Sequence, residues 1–153
     1  MKRLISTGTL LAGLLCAGMG IAQSAQEPTV QDRQSGAYLA ARNAAAAGDF
    51  AAAADYFSQA LVGDPQNPYL LENTAIAFVA LGDFASAVPV AEQMRLAGID
   101  SQVSNMILIC DAIVQGDWDT VITDFADGRT VSPLFDGLVK GWAMQGQGDM
   151  TRA

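Results

Sequence analysis

One short motif recurs through this chain at an almost constant interval. Gly48-Asp49-Phe50, Gly82-Asp83-Phe84, Gly116-Asp117-Trp118 and Gly148-Asp149-Met150 follow one another at steps of 34, 34 and 32 residues. Further positions keep the same register. Ala53, Ala87, Val121 and Ala153 each lie three residues beyond a triplet, and Phe57, Ala91 and Phe125 share another offset. Ala41, Ala75 and Ile109 stand seven residues before the first three glycines, while Ala143 stands five before the fourth, so two residues are missing upstream of the last turn. A period of this length confines the fold to a stack of small units, none of which can bury its apolar side alone.

The triplet has a direct physical reading as a helix-turn-helix joint. Glycine ends one helix because it adopts positive φ at little cost, and aspartate caps the next by accepting from its free amides. The aromatic is expected to enter the core beside the turn. Alanine three residues further on lets two helix backbones approach closely. Pro65 and Pro133, each eight residues after a Phe, mark boundaries between units. Helices are predicted over 34–47, 50–62, 68–80, 84–97, 102–115, 118–127 and 133–145, and no strand pattern competes. Pro89 falls well inside one of them and predicts a local bend there.

Ala53-Ala54-Asp55-Tyr56-Phe57 followed by Asp64-Pro65, with Leu71, Ala75 and Phe78 in the next unit, resembles the tetratricopeptide repeat, whose unit is also 34 residues long. The resemblance covers about residues 34–153. It implies an all-α, α-α superhelix of about three and a half hairpins, with units near 34–67, 68–101, 102–133 and an incomplete 134–153. It also implies that the first helices of successive units line a concave groove that holds a peptide or a partner helix. Carried onto this chain, that groove comprises Tyr38, Arg42, Tyr69, Glu72, Asn73, Ile76, Met106, Cys110 and Ile113, flanked by Ser35, Ala45, Val79 and Val103. Its character changes from aromatic and polar in the first two units to almost continuously apolar in the third. Arg42 and Asn73 suit a carboxylate-terminated peptide of the kind some family members clamp, but Val103 and Ile107 stand where the third unit would need basic side chains. Three departures make the third unit the least regular: Ile109 at the tight crossing, Gly128 late in the second helix, and Ile99 in the place of a proline.

Residues 1–25 form a separate expectation. Met1-Lys2-Arg3 opens a stretch from Leu4 to Ala22 without any charge, and small residues follow at Ala22 and Ala25. That is the make-up of a cleavable export signal of bacterial type, placing the mature chain in the periplasm or outside the cell. A polar lead, 26–33, precedes the repeats. Without the leader, six basic residues face sixteen acidic ones, which argues against nucleic acid as a partner. Only Cys110 then remains, so packing rather than an intrachain disulfide must hold the fold. Histidine is absent altogether, and no nucleophile with a base, phosphate loop or Cys/His ligand set is present. The acidic run Asp111, Asp117, Asp119, Asp124 and Asp127 lacks the later oxygen ligands of a calcium loop and reads as caps and solvated surface.

The expected function is therefore a non-catalytic scaffold or adaptor in the cell envelope that binds a protein or peptide, with no cofactor and no metal. Two other readings stand beside it. The repeats are the N-terminal module of a longer envelope enzyme or assembly factor, with further repeats beyond Ala153, since no polar capping helix closes the array. Alternatively, the chain associates with copies of itself through the strip around Met106 and Ile113.

Overall fold

The computed structural model of the chain describes residues 30–148, and its side chains from Ser35 onward. The leader, residues 26–29 of the lead, and the triplet members Asp149 and Met150 with Ala153 lie outside the described residues. Seven α-helices follow in order among the described residues: α1 Val30–Ala46, α2 Phe50–Leu61, α3 Pro68–Ala80, α4 Phe84–Leu96, α5 Gln102–Gln115, α6 Trp118–Ala126 and α7 Pro133–Gly146. The first begins at Val30, so it takes in residues 30–33 of the expected lead.

The repeated turns are nearly superimposable in backbone geometry. Gly48, Gly82 and Gly116 have φ of 76°, 73° and 72°, a region that costs an L-residue about 1–2 kcal/mol. In each turn the aspartate amide reaches back to the carbonyl five residues earlier, on Ala44, Phe78 and Ala112, at 2.9 Å. Each aspartate carboxylate then accepts from the amide three residues ahead, on Ala52, Ser86 and Thr120, at 3.1 Å. One joint thus satisfies orphan groups of both helices, and each cap contributes about 1 kcal/mol. The links between units use other devices. Asn67 caps α3 and Ser132 caps α7, each followed by proline at the first helical position. Pro68 is therefore the counterpart of Pro133, whereas Pro65 follows α2 and its carbonyl accepts from Gln93 of α4 at 2.7 Å.

Packing follows the chain: each helix lies against its sequence neighbours, and α3 also against α5. The core divides into three clusters, each drawing on two first helices and the second helix between them. Ala41, Ala53, Phe57 and Leu70 join α1, α2 and α3. Ala75, Ala87, Ala91 and Ile107 join α3, α4 and α5, and Ile109, Val121, Phe125 and Ala143 join α5, α6 and α7. Many register positions read from the sequence lie in this core, with Ala41, Ala53, Ala75, Ala87, Ala91, Ile109 and Val121 fully enclosed. Small side chains there hold the backbones close, and the apolar area removed from water drives the stacking.

The turn aromatics depart from expectation. All three occupy the first position of a second helix, but Phe84 is 52 % exposed, and Phe50 and Trp118 are half-buried. A residue at that position points off the turn, and its burial depends on what the following unit places there. Trp118, the largest, reaches α7 and lies against Gly146, where a Cβ would meet its ring at 2.6 Å. Pro89 also behaves simply: α4 runs through it without a break, with the ring and the neighbouring Ala85 both exposed.

The third unit is the irregular one, as its sequence predicts. α5 and α6 pack less extensively than α1 with α2 or α3 with α4, in keeping with bulky Ile109 at the crossing. Gly128 does not lie within the second helix but terminates it, with φ of 83°. Gly98 falls 16 residues after its turn glycine and Gly128 only 12 after its own, so α6 is about one turn shorter than α4. Polar bonds hold the resulting connection. Asn105 donates to the Thr130 carbonyl at 3.1 Å, Arg129 pairs with buried Asp124, and buried Asp136 accepts from the Val131 amide at 3.0 Å.

Candidate functional site

The first helices α1, α3, α5 and α7 carry equivalent positions, most simply counted back from the turn glycines Gly48, Gly82, Gly116 and Gly148. Seven residues before them stand Ala41, Ala75, Ile109 and Gly141. By this count Gly141 takes the small-residue register of the fourth unit, although a Cβ there would meet nothing within 4 Å. Ala143, two residues on, packs instead on Val121 and Phe125 of the preceding second helix, as Ala77 packs in the first cluster. The two residues lost from the period are lost in α6 and its connection, not within α7.

Ten residues before the glycines the same count gives Tyr38, Glu72, Met106 and Leu138, and six before gives Arg42, Ile76, Cys110 and Trp142. These two rows are the accessible side of the first helices. Arg42, Ile76, Met106, Leu138 and Trp142 are exposed, and Tyr38, Glu72 and Cys110 are half-buried. Leu138 and Trp142, at 57 % and 67 % exposure, were absent from the sequence-derived groove. The signal that finds them is the count back from Gly148, which the 34-residue step from Ile109 to Ala143 obscures.

Row residues join α1 to α3 and α3 to α5. The Tyr38 and Tyr69 rings lie 5.8 Å apart between α1 and α3, with Arg42 over the Tyr38 ring at 5.8 Å, and Phe57 meets Tyr69 edge-on from below. Ser101, the cap of α5, donates to Glu72 at 2.9 Å and ties α3 to α5. Asn73 turns back on its own helix and donates to the Tyr69 carbonyl at 2.8 Å. A cavity of about 400 Å³ opens beside Tyr38, lined by Ser35, Leu39, Asp64 and Asn67 among others. In the third unit Met106 is accessible, whereas Ile113 packs into the third cluster and Ile107 and Val103 belong to the second. Ile107 is thus core, not groove.

Chemically, the groove offers stacking rings, one cation and one carboxylate at its first end and polarisable apolar groups at its other end. Burial pushes the Cys110 thiol above its ordinary value, which favours its protonated form. The acidic run disperses: Asp117 caps α6, Asp111 accepts from Gln115, and Asp124 faces Arg129. Asp117 is held below the ordinary carboxylate value chiefly by the Thr120 hydroxyl and then by the Thr120 amide.

Residues 44–106, from the end of α1 into α5, match the family model of the tetratricopeptide repeat. No curated protein and no solved structure matches the chain. With its sequentially packed hairpins, the described region is an all-α, tetratricopeptide-like superhelix. Repeats of this kind generally mediate protein–protein interaction and are typically non-catalytic.

Proposed function

We propose that this chain is a non-catalytic scaffold of the cell envelope that holds a protein partner along the accessible rows of its first helices. The observation that carries this reading is the alignment of Tyr38, Glu72, Met106 and Leu138, and of Arg42, Ile76, Cys110 and Trp142, at the same two offsets on successive helices. A stack built from small buried residues is rigid, so such a surface is preformed and its own ordering cost on binding is low. The rings at Tyr38 and Tyr69 suit an apolar side chain of the partner, and Arg42 and Glu72 suit its backbone and charges.

Peptides selected by the full chain from a displayed random library supply the test. Replacing Tyr38, Arg42 and Asn73 together by alanine should weaken the selected peptides by about tenfold or more, with the far-UV spectrum unchanged. Undiminished binding removes the groove assignment. The envelope location rests on residues 1–25. Fused to a reporter active only after export, they should direct it out of the bacterial cytoplasm with loss of the leader, and a reporter retained inside refutes export.

A further inference from the structure

The two ends of the groove differ, and the difference specifies a partner. Among the described residues the second half presents Met106 and Cys110 on α5 and Leu138 and Trp142 on α7, with no charged side chain in either row. Around it carboxylates outnumber cations. Of the four cations with described side chains, Arg95 is paired with Glu92 and Arg129 with Asp124 and Asp127, while Arg42 and Lys140 lie over the Tyr38 and Phe125 rings and keep their charge. Exposed aspartates instead recur at both edges of the stack. Asp49, Asp83 and Asp117, joined by Asp119, mark the edge formed by the repeated turns, and Asp64 and Asp100 mark the edge formed by the links between units.

We infer that the α5–α7 half of the groove docks a cationic amphipathic helix of a partner protein, its apolar face on Met106, Leu138 and Trp142 and its basic flanks toward the aspartate edges. This inference rests on the groove reading above and narrows it to one partner chemistry. The dimensions agree. First helices of 13 and 14 residues span about 20 Å, and a helix about 10–12 Å across laid along the groove leaves roughly 5 Å on each side, within the reach of lysine. Acidic edges at that distance steer a basic partner through a field that salt weakens, while the apolar rows supply the contact that water must leave. An acidic helix of the same apolar pattern meets repulsion on both sides.

The test uses the full chain and three synthetic helices of about five turns: leucine-faced with lysine flanks, leucine-faced with glutamate flanks, and serine-faced with lysine flanks. Affinity is read by anisotropy of labelled peptide at low and physiological salt. The leucine/lysine helix should bind, weaken as salt rises, and lose about tenfold or more in affinity when Leu138 and Trp142 are both changed to serine. Both side chains are mostly exposed, and circular dichroism checks that the double variant folds. Equal binding of the glutamate-flanked or serine-faced helix overturns the proposal, as does indifference to the double substitution. A concentration-dependent dimer that binds no peptide also overturns it, with a second copy as the occupant. If binding depends on Tyr38, Arg42 and Asn73 but not on Leu138 and Trp142, the groove reading survives and this inference fails. If it depends on neither set, both fail.

Discussion

Substituting Gly146 by alanine sets two well-understood effects against each other. Gly146 is the last residue of α7, and alanine in a helix is favoured over glycine by up to about 1 kcal/mol. Helix propensity alone therefore predicts a stabilised protein. The tertiary structure predicts the reverse, because a Cβ at this position would stand 2.6 Å from Cε2, 2.7 Å from Nε1 and 2.8 Å from Cδ2 of Trp118. Carbon atoms pack best near 3.5–4.0 Å, so the indole must move by about 1 Å. Overpacking of this kind costs about 1–3 kcal/mol, and Gly146→Ala should come out destabilised by up to about 2 kcal/mol once the propensity gain is deducted. Urea unfolding followed by far-UV circular dichroism measures the change without relying on tryptophan emission. In a Trp118→Ala background the clash is gone, and the same glycine substitution should become neutral or stabilising. A coupling near zero across this cycle, with Gly146→Ala stabilising in both backgrounds, would refute the claim that Trp118 sets the seating of α7.

Three further outcomes follow from the same geometry. Phe57 is buried and Phe84 half exposed although both recur in register, so Phe57→Ala should cost about 3–5 kcal/mol and Phe84→Ala clearly less in parallel urea titrations. Pro89→Ala should stabilise the chain by about 1–3 kcal/mol, because Pro89 interrupts the bonding of an otherwise continuous helix on its exposed side; a lower urea midpoint would contradict this. Asp117 has a folded-state pKa below its ordinary value of 3.8, so its contribution to stability is present above that value and is lost as pH falls through the lower folded one. Thr120→Val removes the hydroxyl that donates to Asp117 at 2.6 Å and should raise the Asp117 midpoint in a carboxyl NMR titration, and an unmoved midpoint assigns the depression elsewhere.

Much of this architecture is legible in the sequence because its joints are local. A glycine at positive φ followed by a capping aspartate needs no information beyond a few neighbouring residues, and the helix limits read from the triplets agree with α2 to α7 within one residue. The small residues at fixed offsets likewise announce where helices cross. The turn aromatics show the limit of that reasoning: Phe50, Phe84 and Trp118 share backbone geometry, yet their burial depends on the next unit.

The fourth unit separates most clearly what each level decides. Periodicity and turn chemistry by themselves determine the stacked hairpins, the order of helices and the rows of Tyr38, Glu72 and Met106. They do not decide whether the register of α7 runs through Gly141 or through Ala143, because both are small and the period has slipped by two. At about 100° per residue, a slip of two turns a helix by roughly 200° and exchanges its core and solvent sides. Only packing against Val121, Phe125 and Trp118 resolves that choice. It places Ala143 inward and leaves Leu138 and Trp142 on the accessible rows.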